Sequence, residues 1–238
     1  MPLSATTPEE IRTLLATPLN KLNLQIAGSN LEKQISLLSS ELQSKNIHFM
    51  PECYLSDEWG CPHLAPIIGI PFYLADETLR QMEKKYTPTE AETDEEILMY
   101  LRHEAGHALN YAYKVYKLPE WERIFGPFSF PYIDKYHNIP NHPSFVTYLP
   151  DWYAQKHPDE DFAETFAVWL DPGSNWEQKY TNTKAMEKLE FVNKITSTAL
   201  LTAPIISSGY RDNPIEELSL TLSDWYVDQN ETNDDKIK

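Results

Sequence analysis

His103-Glu104-Ala105-Gly106-His107 sets two imidazoles four residues apart with a glutamate between them. On a helix, positions i and i+4 lie about one turn above each other, so both rings can ligate one metal ion. The glutamate projects roughly 100° around the helix, away from that shared point. From there it can reach a metal-bound water and serve as its general base. Five consecutive residues thus carry most of the chemistry of a zinc hydrolase.

Two histidines do not complete such a site, because a catalytic zinc takes three protein ligands and leaves a fourth position to water. The longer all-histidine motif would need glycine at 110 and histidine at 113, where Asn110 and Tyr113 stand. The third ligand therefore comes from elsewhere, and the best source is the run from Pro158 to Phe166. Glu160 and Glu164 share a helix face there, with Phe162, Phe166 and alanines around them. Acids beside apolar residues are costly to bury unless a cation or a donor meets them. A solvated helix start, favoured by the helix dipole, accounts for Asp159 and Glu160 but poorly for the deeper Glu164. Helix geometry alone does not choose between Glu160 and Glu164 as the ligand.

The elements that must position these residues are announced by their ends. Thr7, Ser29 and Thr93 each precede a glutamate by three residues, the spacing of a capping box. Leu22 to Ile26 alternates like a half-buried strand, and Ile47 to Met50 is a second short strand candidate. Ile67 to Leu74 looks extended, with Pro71 restricting it to an edge. The motif helix is expected from Asp94 to Tyr116, with Ile97, Leu101, Ala105, Ala108 and Ala112 on an apolar face. Leu118 to Asp151, rich in proline and aromatic residues, reads as an ordered loop region. A second helix opens at Pro158 and stops before Asp171-Pro172-Gly173, and a third spans about Thr183 to Leu201. This order predicts an α+β fold: a small amino-terminal sheet with an edge strand over the motif helix, then a mainly helical carboxy-terminal half. Residues 1–225 are expected to form one domain, and the acidic residues 226–238 a disordered tail.

A net charge of −16 argues against nucleic-acid binding, which needs basic footprints. No run approaches the roughly 20 apolar residues of a membrane span, and the start shows no signal peptide. The expectation is a cytoplasmic, bacterial-type protein, with leaderless export also compatible. Cys53 and Cys61 are expected to be free thiols rather than a disulfide. With His48 and His63 they match no common zinc spacing. His137, His142 and His157 sit in loop-like sequence and are read as ordinary hydrogen-bonding groups. Gly106 is expected either to keep the helix slim against a neighbouring backbone or simply to be tolerated.

His103-Glu104-Ala105-Gly106-His107 followed by Glu160-Asp161-Phe162-Ala163-Glu164 resembles the gluzincin metallopeptidases, in which a glutamate on a downstream helix completes the zinc site. The runs Arg102 to Leu109 and His157 to Ala167, with Pro71 to Ala75, resemble more closely the putative zinc-binding metallopeptidase family of bacteria, over roughly residues 50 to 200. That family is similar in turn to the catalytic domain of lethal-factor-type toxins. The resemblance implies a zincin-like fold, one zinc ion and cleavage of a peptide or protein substrate. It implies His103, His107 and Glu160 as ligands, Glu104 as general base, and Glu164 as the acid that orients a ligating histidine. It also implies an oxyanion-stabilising tyrosine seven residues before the ligand glutamate, where Tyr153 stands. A non-catalytic protein with a structural metal and a zinc hydrolase of a non-peptide amide are the competing expectations. The absence of cysteine from both motifs favours catalysis over a closed structural site.

Overall fold

The computed structural model describes residues 3, 7–87, 91–133 and 136–236. Nine helices and two strands follow one another among them: α1 (Pro8–Leu15), α2 (Asn30–Ser44), β1 (Glu52–Ser56), β2 (Ile67–Pro71), α3 (Glu77–Tyr86), α4 (Asp94–Tyr113), α5 (Pro119–Phe125), α6 (Pro158–Leu170), α7 (Trp176–Lys179), α8 (Lys184–Thr196) and α9 (Leu222–Lys236). The fold is mixed, with the small sheet in the amino-terminal part and helices through the carboxy-terminal half. One buried cluster runs from Leu14 through the sheet and the central helices to Tyr226.

β2 begins at Ile67 as expected and stops at Pro71, short of Leu74, whereas the two earlier strand candidates are not strands. Leu22–Ile26 forms no strand, because Asn23 takes a left-handed φ of 53° that breaks an extended run. Ile47–Met50 is extended but unpaired. Pairing begins only after Pro51, which has no N–H to give. β1 and β2 are parallel, with Glu52 opposite Ile67 and Ser56 opposite Pro71, and every residue of β2 is buried. The outer edge of β2 is not free at its centre. Gly60 and Gly69 exchange both backbone hydrogen bonds as an antiparallel bridge, so the segment around Gly60 forms the rim beyond the sheet.

α4 starts as expected. Thr93 accepts from Glu96 N, Glu96 reaches back to Thr93 N, and Asp94 and Glu95 complement the dipole. It ends earlier than expected, at Lys114, whose φ of 52° turns the chain out of the helix. At α2 the cap is simpler than a box: Ser29 accepts from Leu31 N, while Glu32 takes Gly28 N instead. α6 has the limits read from its proline and its Asp-Pro-Gly stop, and α8 ends at Thr196. Of the stretch expected to be a disordered tail, residues 226–236 lie in α9 and 237–238 fall outside the described residues. A reciprocal Thr221–Asp224 cap opens that helix, and Leu222, Trp225 and Tyr226 anchor it in the core. No helix among the described residues is long and apolar enough to cross a membrane.

α4 and α6 form the seam on which everything else rests. A side chain at Gly106 would bring its Cβ to 2.8 Å from Ala163 Cα, so only glycine lets the two backbones approach this closely. The 14 residues from Ile97 to Tyr113 that are buried on α4 include both motif histidines. On α6 every residue from Asp159 to Leu170 is buried. Arg102 locks the seam from outside, with Glu41 of α2 held bidentately at 2.6 and 2.8 Å and Asp171 at 3.2 Å.

Candidate metal centre

Across the seam, His103, His107 and Glu160 converge. His103 Nε2 and His107 Nε2 each lie 3.1 Å from Glu160 Oε2, and 3.2 Å from each other. All three residues are buried, at 2, 6 and 6 % exposure. These separations are close to the roughly 3.3–3.5 Å expected between ligand atoms around a tetrahedral ion with bonds near 2.0–2.1 Å.

The protonation chemistry of the trio also fits a cation. His103 Nδ1 is 3.0 Å from Glu164 Oε1, a contact that draws a proton to Nδ1 and turns the Nε2 lone pair toward Glu160. Burial lowers the His103 pKa, but its bonds to Glu160 and Glu164 outweigh that and raise it to about 9. His107 is raised as well, against burial, by Asp159 and Glu160. The Glu160 carboxyl, which burial alone would raise, is held low by both imidazoles. The cluster therefore demands positive charge. Protons supply it poorly, because two protonated Nε2 atoms 3.2 Å apart would collide. One dication meets all three donors at once, and the residues fit a metal such as zinc. Among the described residues this is the one group of histidine, cysteine and acidic side chains with such geometry.

Glu164 is fully buried and serves more than His103. Its carboxylate also accepts from Tyr148 N at 3.1 Å and Leu149 N at 3.0 Å, tying the loop before Tyr153 to the metal-facing helices. Glu104 faces a cleft of about 860 Å³ that His103, His107 and Glu160 also line, and among the described residues no protein hydrogen bond claims its carboxylate. Burial raises its pKa, which His103 and His107 oppose.

Tyr153 lines the same cleft, its ring centroid 5.7 Å from that of His103. Its hydroxyl accepts from Lys156 Nζ at 3.0 Å. Burial, then Glu160 and Glu104, raise its pKa far above that of a free phenol. The turn that presents it is strained: Asp151 and Trp152 both take left-handed φ, 61° and 52°. Tyr136 and Asn138 hold that turn by donating to Asp151 O. Tyr100 of α4 and the Trp59–Gly60–Cys61 segment complete one wall of the cleft, the segment brought there by the Gly60–Gly69 bridge, a long-range pairing with no local signal.

A family model described as putative zinc-binding metallo-peptidase matches residues 7–206, most of the chain. The chain belongs to that family. No curated protein and no solved structure among those compared matches it. Within this metallopeptidase-family chain, Cys61 lines the cleft, while His157 and Cys53 are not among its lining residues. His157 caps α6, accepting from Asp159 N at 3.0 Å while its Nε2 bonds Phe130 O. Cys53 and Cys61 are free thiols, and burial pushes the Cys53 thiol up to about 12. The residue that sequence reasoning missed is Asp159. It was explained by the helix dipole, yet its carboxylate Oδ2 lies 3.2 Å from His107 Nδ1, in a contact bent away from ideal hydrogen-bond geometry.

Proposed function

We propose that this chain is a zinc-dependent peptidase, with one zinc ion held by His103, His107 and Glu160 and with Glu104 as general base. The observation that carries the reading is the convergence of three metal-seeking atoms on one wall of an open cleft, next to the Glu104 carboxylate, which no hydrogen bond claims among the described residues. A zinc ion there would act as a Lewis acid and lower the pKa of a coordinated water toward roughly 7. The protein's own part is proton traffic and positioning. Glu104 takes a proton from the attacking water as its oxygen bonds the scissile carbonyl carbon. It then delivers that proton to the amide nitrogen as the C–N bond breaks. A burial-raised pKa suits this double duty, because the carboxyl must give the proton back.

Tyr153 is the oxyanion donor in this reading. Lys156 can only donate, so the bond from its Nζ occupies a lone pair of the phenol and leaves the Tyr153 O–H free to point into the cleft. Glu164 orients His103, and the backbone strain at Asp151 and Trp152 supports a functional purpose for the turn that carries Tyr153. A closed structural site is disfavoured by the cleft beside the trio and by the absence of cysteine from it.

The test is cleavage of a diverse peptide library by the zinc-loaded chain, by the chelated chain and by Glu104→Gln. Cleavage by the first alone, with Glu104→Gln still binding one zinc, is the expected outcome. Turnover by Glu104→Gln would overturn the base assignment. A zinc-loaded chain that cleaves no peptide would overturn the peptidase reading.

A further inference from the structure

The acidic triplet that opens α6 sends its members three ways. Glu160 joins the trio, Asp161 pairs with Lys188 of α8, and Asp159 turns toward His107. The hydrolytic scheme uses neither Asp161, which Lys188 occupies, nor Asp159, which faces the trio. Asp159 is completely buried. Tyr111 Oη donates to its Oδ2, Asn110 Nδ2 donates to its Oδ1 at 2.8 Å, and His107 Nδ1 lies against Oδ2. Asn110 and Tyr111 stand three and four residues beyond His107, so one face of α4 supplies all three partners.

Packing alone does not account for a charge here. Tyr111 and Asn110 are neutral donors, one to each carboxylate oxygen, so they satisfy its hydrogen bonds but supply no charge to balance a buried anion. The cations nearest this seam are committed elsewhere, Arg102 to Glu41 and Asp171, Lys188 to Asp161. Among the described residues, the ion-pair partner of Asp159 is His107.

We infer that Asp159 is a positioning residue for His107. It receives the Nδ1 proton, fixes the tautomer whose Nε2 lone pair faces Glu160, and raises the basicity of that nitrogen. Tyr111 and Asn110 anchor the carboxylate so that it stays against the ring. Each imidazole of the trio then has its own carboxylate, Glu164 for His103 and Asp159 for His107. The inference rests on the metal-binding half of the proposed function and is independent of turnover.

The experiment is competition for Zn2+ between the full chain and a chromogenic chelator, for wild type, Asp159→Asn, Asp159→Ala and Tyr111→Phe. Imidazole N–H NMR spectra of the zinc-loaded forms are recorded alongside. Asp159→Asn is isosteric and should keep the helical circular dichroism of the wild type, yet bind zinc about 10- to 100-fold more weakly. It should also lose one exchange-protected Nδ1–H resonance, while Glu164→Gln loses the other. Tyr111→Phe should weaken zinc binding severalfold. Wild-type affinity in Asp159→Asn with both resonances retained would overturn the role. Should Asp159→Ala fail to fold, the Asn and Phe variants still decide it. A wild-type chain that takes up no zinc would sink the metal reading itself, which the same titration registers separately.

Discussion

Two seams of this molecule bury carboxylates, and they treat them in opposite ways. Between α4 and α6, Asp159, Glu160 and Glu164 are each met by imidazoles, hydroxyls or backbone amides, and Asp159 and Glu160 keep their charge against burial. Between α3 and α9, Glu83 is just as inaccessible, but its Oε2 has no hydrogen-bond partner. Burial pushes its pKa up to about 7, and contacts from Thr87 and Trp225 offset this only in part. A buried carboxylate met by imidazoles keeps its charge, whereas one met only by weak neutral donors is driven toward its protonated form. The difference lies in the neighbours: α6 is buried on every side from Asp159 to Leu170, whereas Glu83 lies on the single buried face of α3.

The comparison breaks most visibly at the metal. Glu160→Ala removes a member of the trio and should abolish stoichiometric zinc uptake at neutral pH. Glu164→Ala should leave binding intact but about 10- to 100-fold weaker. Metal content after dialysis and chelator competition rank the two, and the reverse order would exchange their roles. Next in size is Tyr153→Phe, which leaves all three ligands in place. It should lower kcat about 100-fold with zinc affinity unchanged, the effect of losing one oxyanion donor. Steady-state kinetics beside a zinc titration check this, and an unaltered kcat would return Tyr153 to the role of a cleft-wall aromatic.

The smallest effect sharpens the other side. Glu83 has a folded pKa of about 7 against an ordinary 4.5, so between those values the folded chain holds a proton that the unfolded chain has released. Stability contributed by this group therefore falls as pH rises through that window, and the penalty is complete above about pH 7. Glu83→Gln removes the penalty. Its melting temperature should exceed that of the wild type by a few degrees at pH 8, with the gap closing toward pH 4.5, as thermal unfolding at matched pH would reveal. A gap that is constant with pH would show that Glu83 is already neutral or adequately paired.

How legible the molecule was in its sequence followed the range of the forces involved. Thr93, Pro158 and the Asp171-Pro172-Gly173 stop act within one helical turn, and α4 and α6 begin where those residues say, with α6 ending there too. The spacing of His103 and His107 is likewise a local fact, and so is that of Glu160 and Glu164. β2 was legible from its apolar run, but β1 was missed because it is five residues long and defined by a partner strand fifteen positions away. Proline and left-handed asparagines shifted it from the hydrophobic runs. Asp159 was hidden for a different reason: the dipole explanation was sufficient on its own, and nothing in the sequence says that Asn110 and Tyr111 will face it. The Trp59 to Cys61 wall depends on a bridge to Gly69 that no periodicity encodes.

One carboxylate has a mechanical consequence. Glu164 grips an imidazole with one oxygen and two consecutive amides, Tyr148 and Leu149, largely with the other. The strap that leads to Tyr153 and the nearest metal-seeking ring are thus fastened to the same bolt. If the trio holds an ion as proposed, a bulky inhibitor that levers the strap outward will loosen it, and slow leakage of metal would be the symptom of such a wedge.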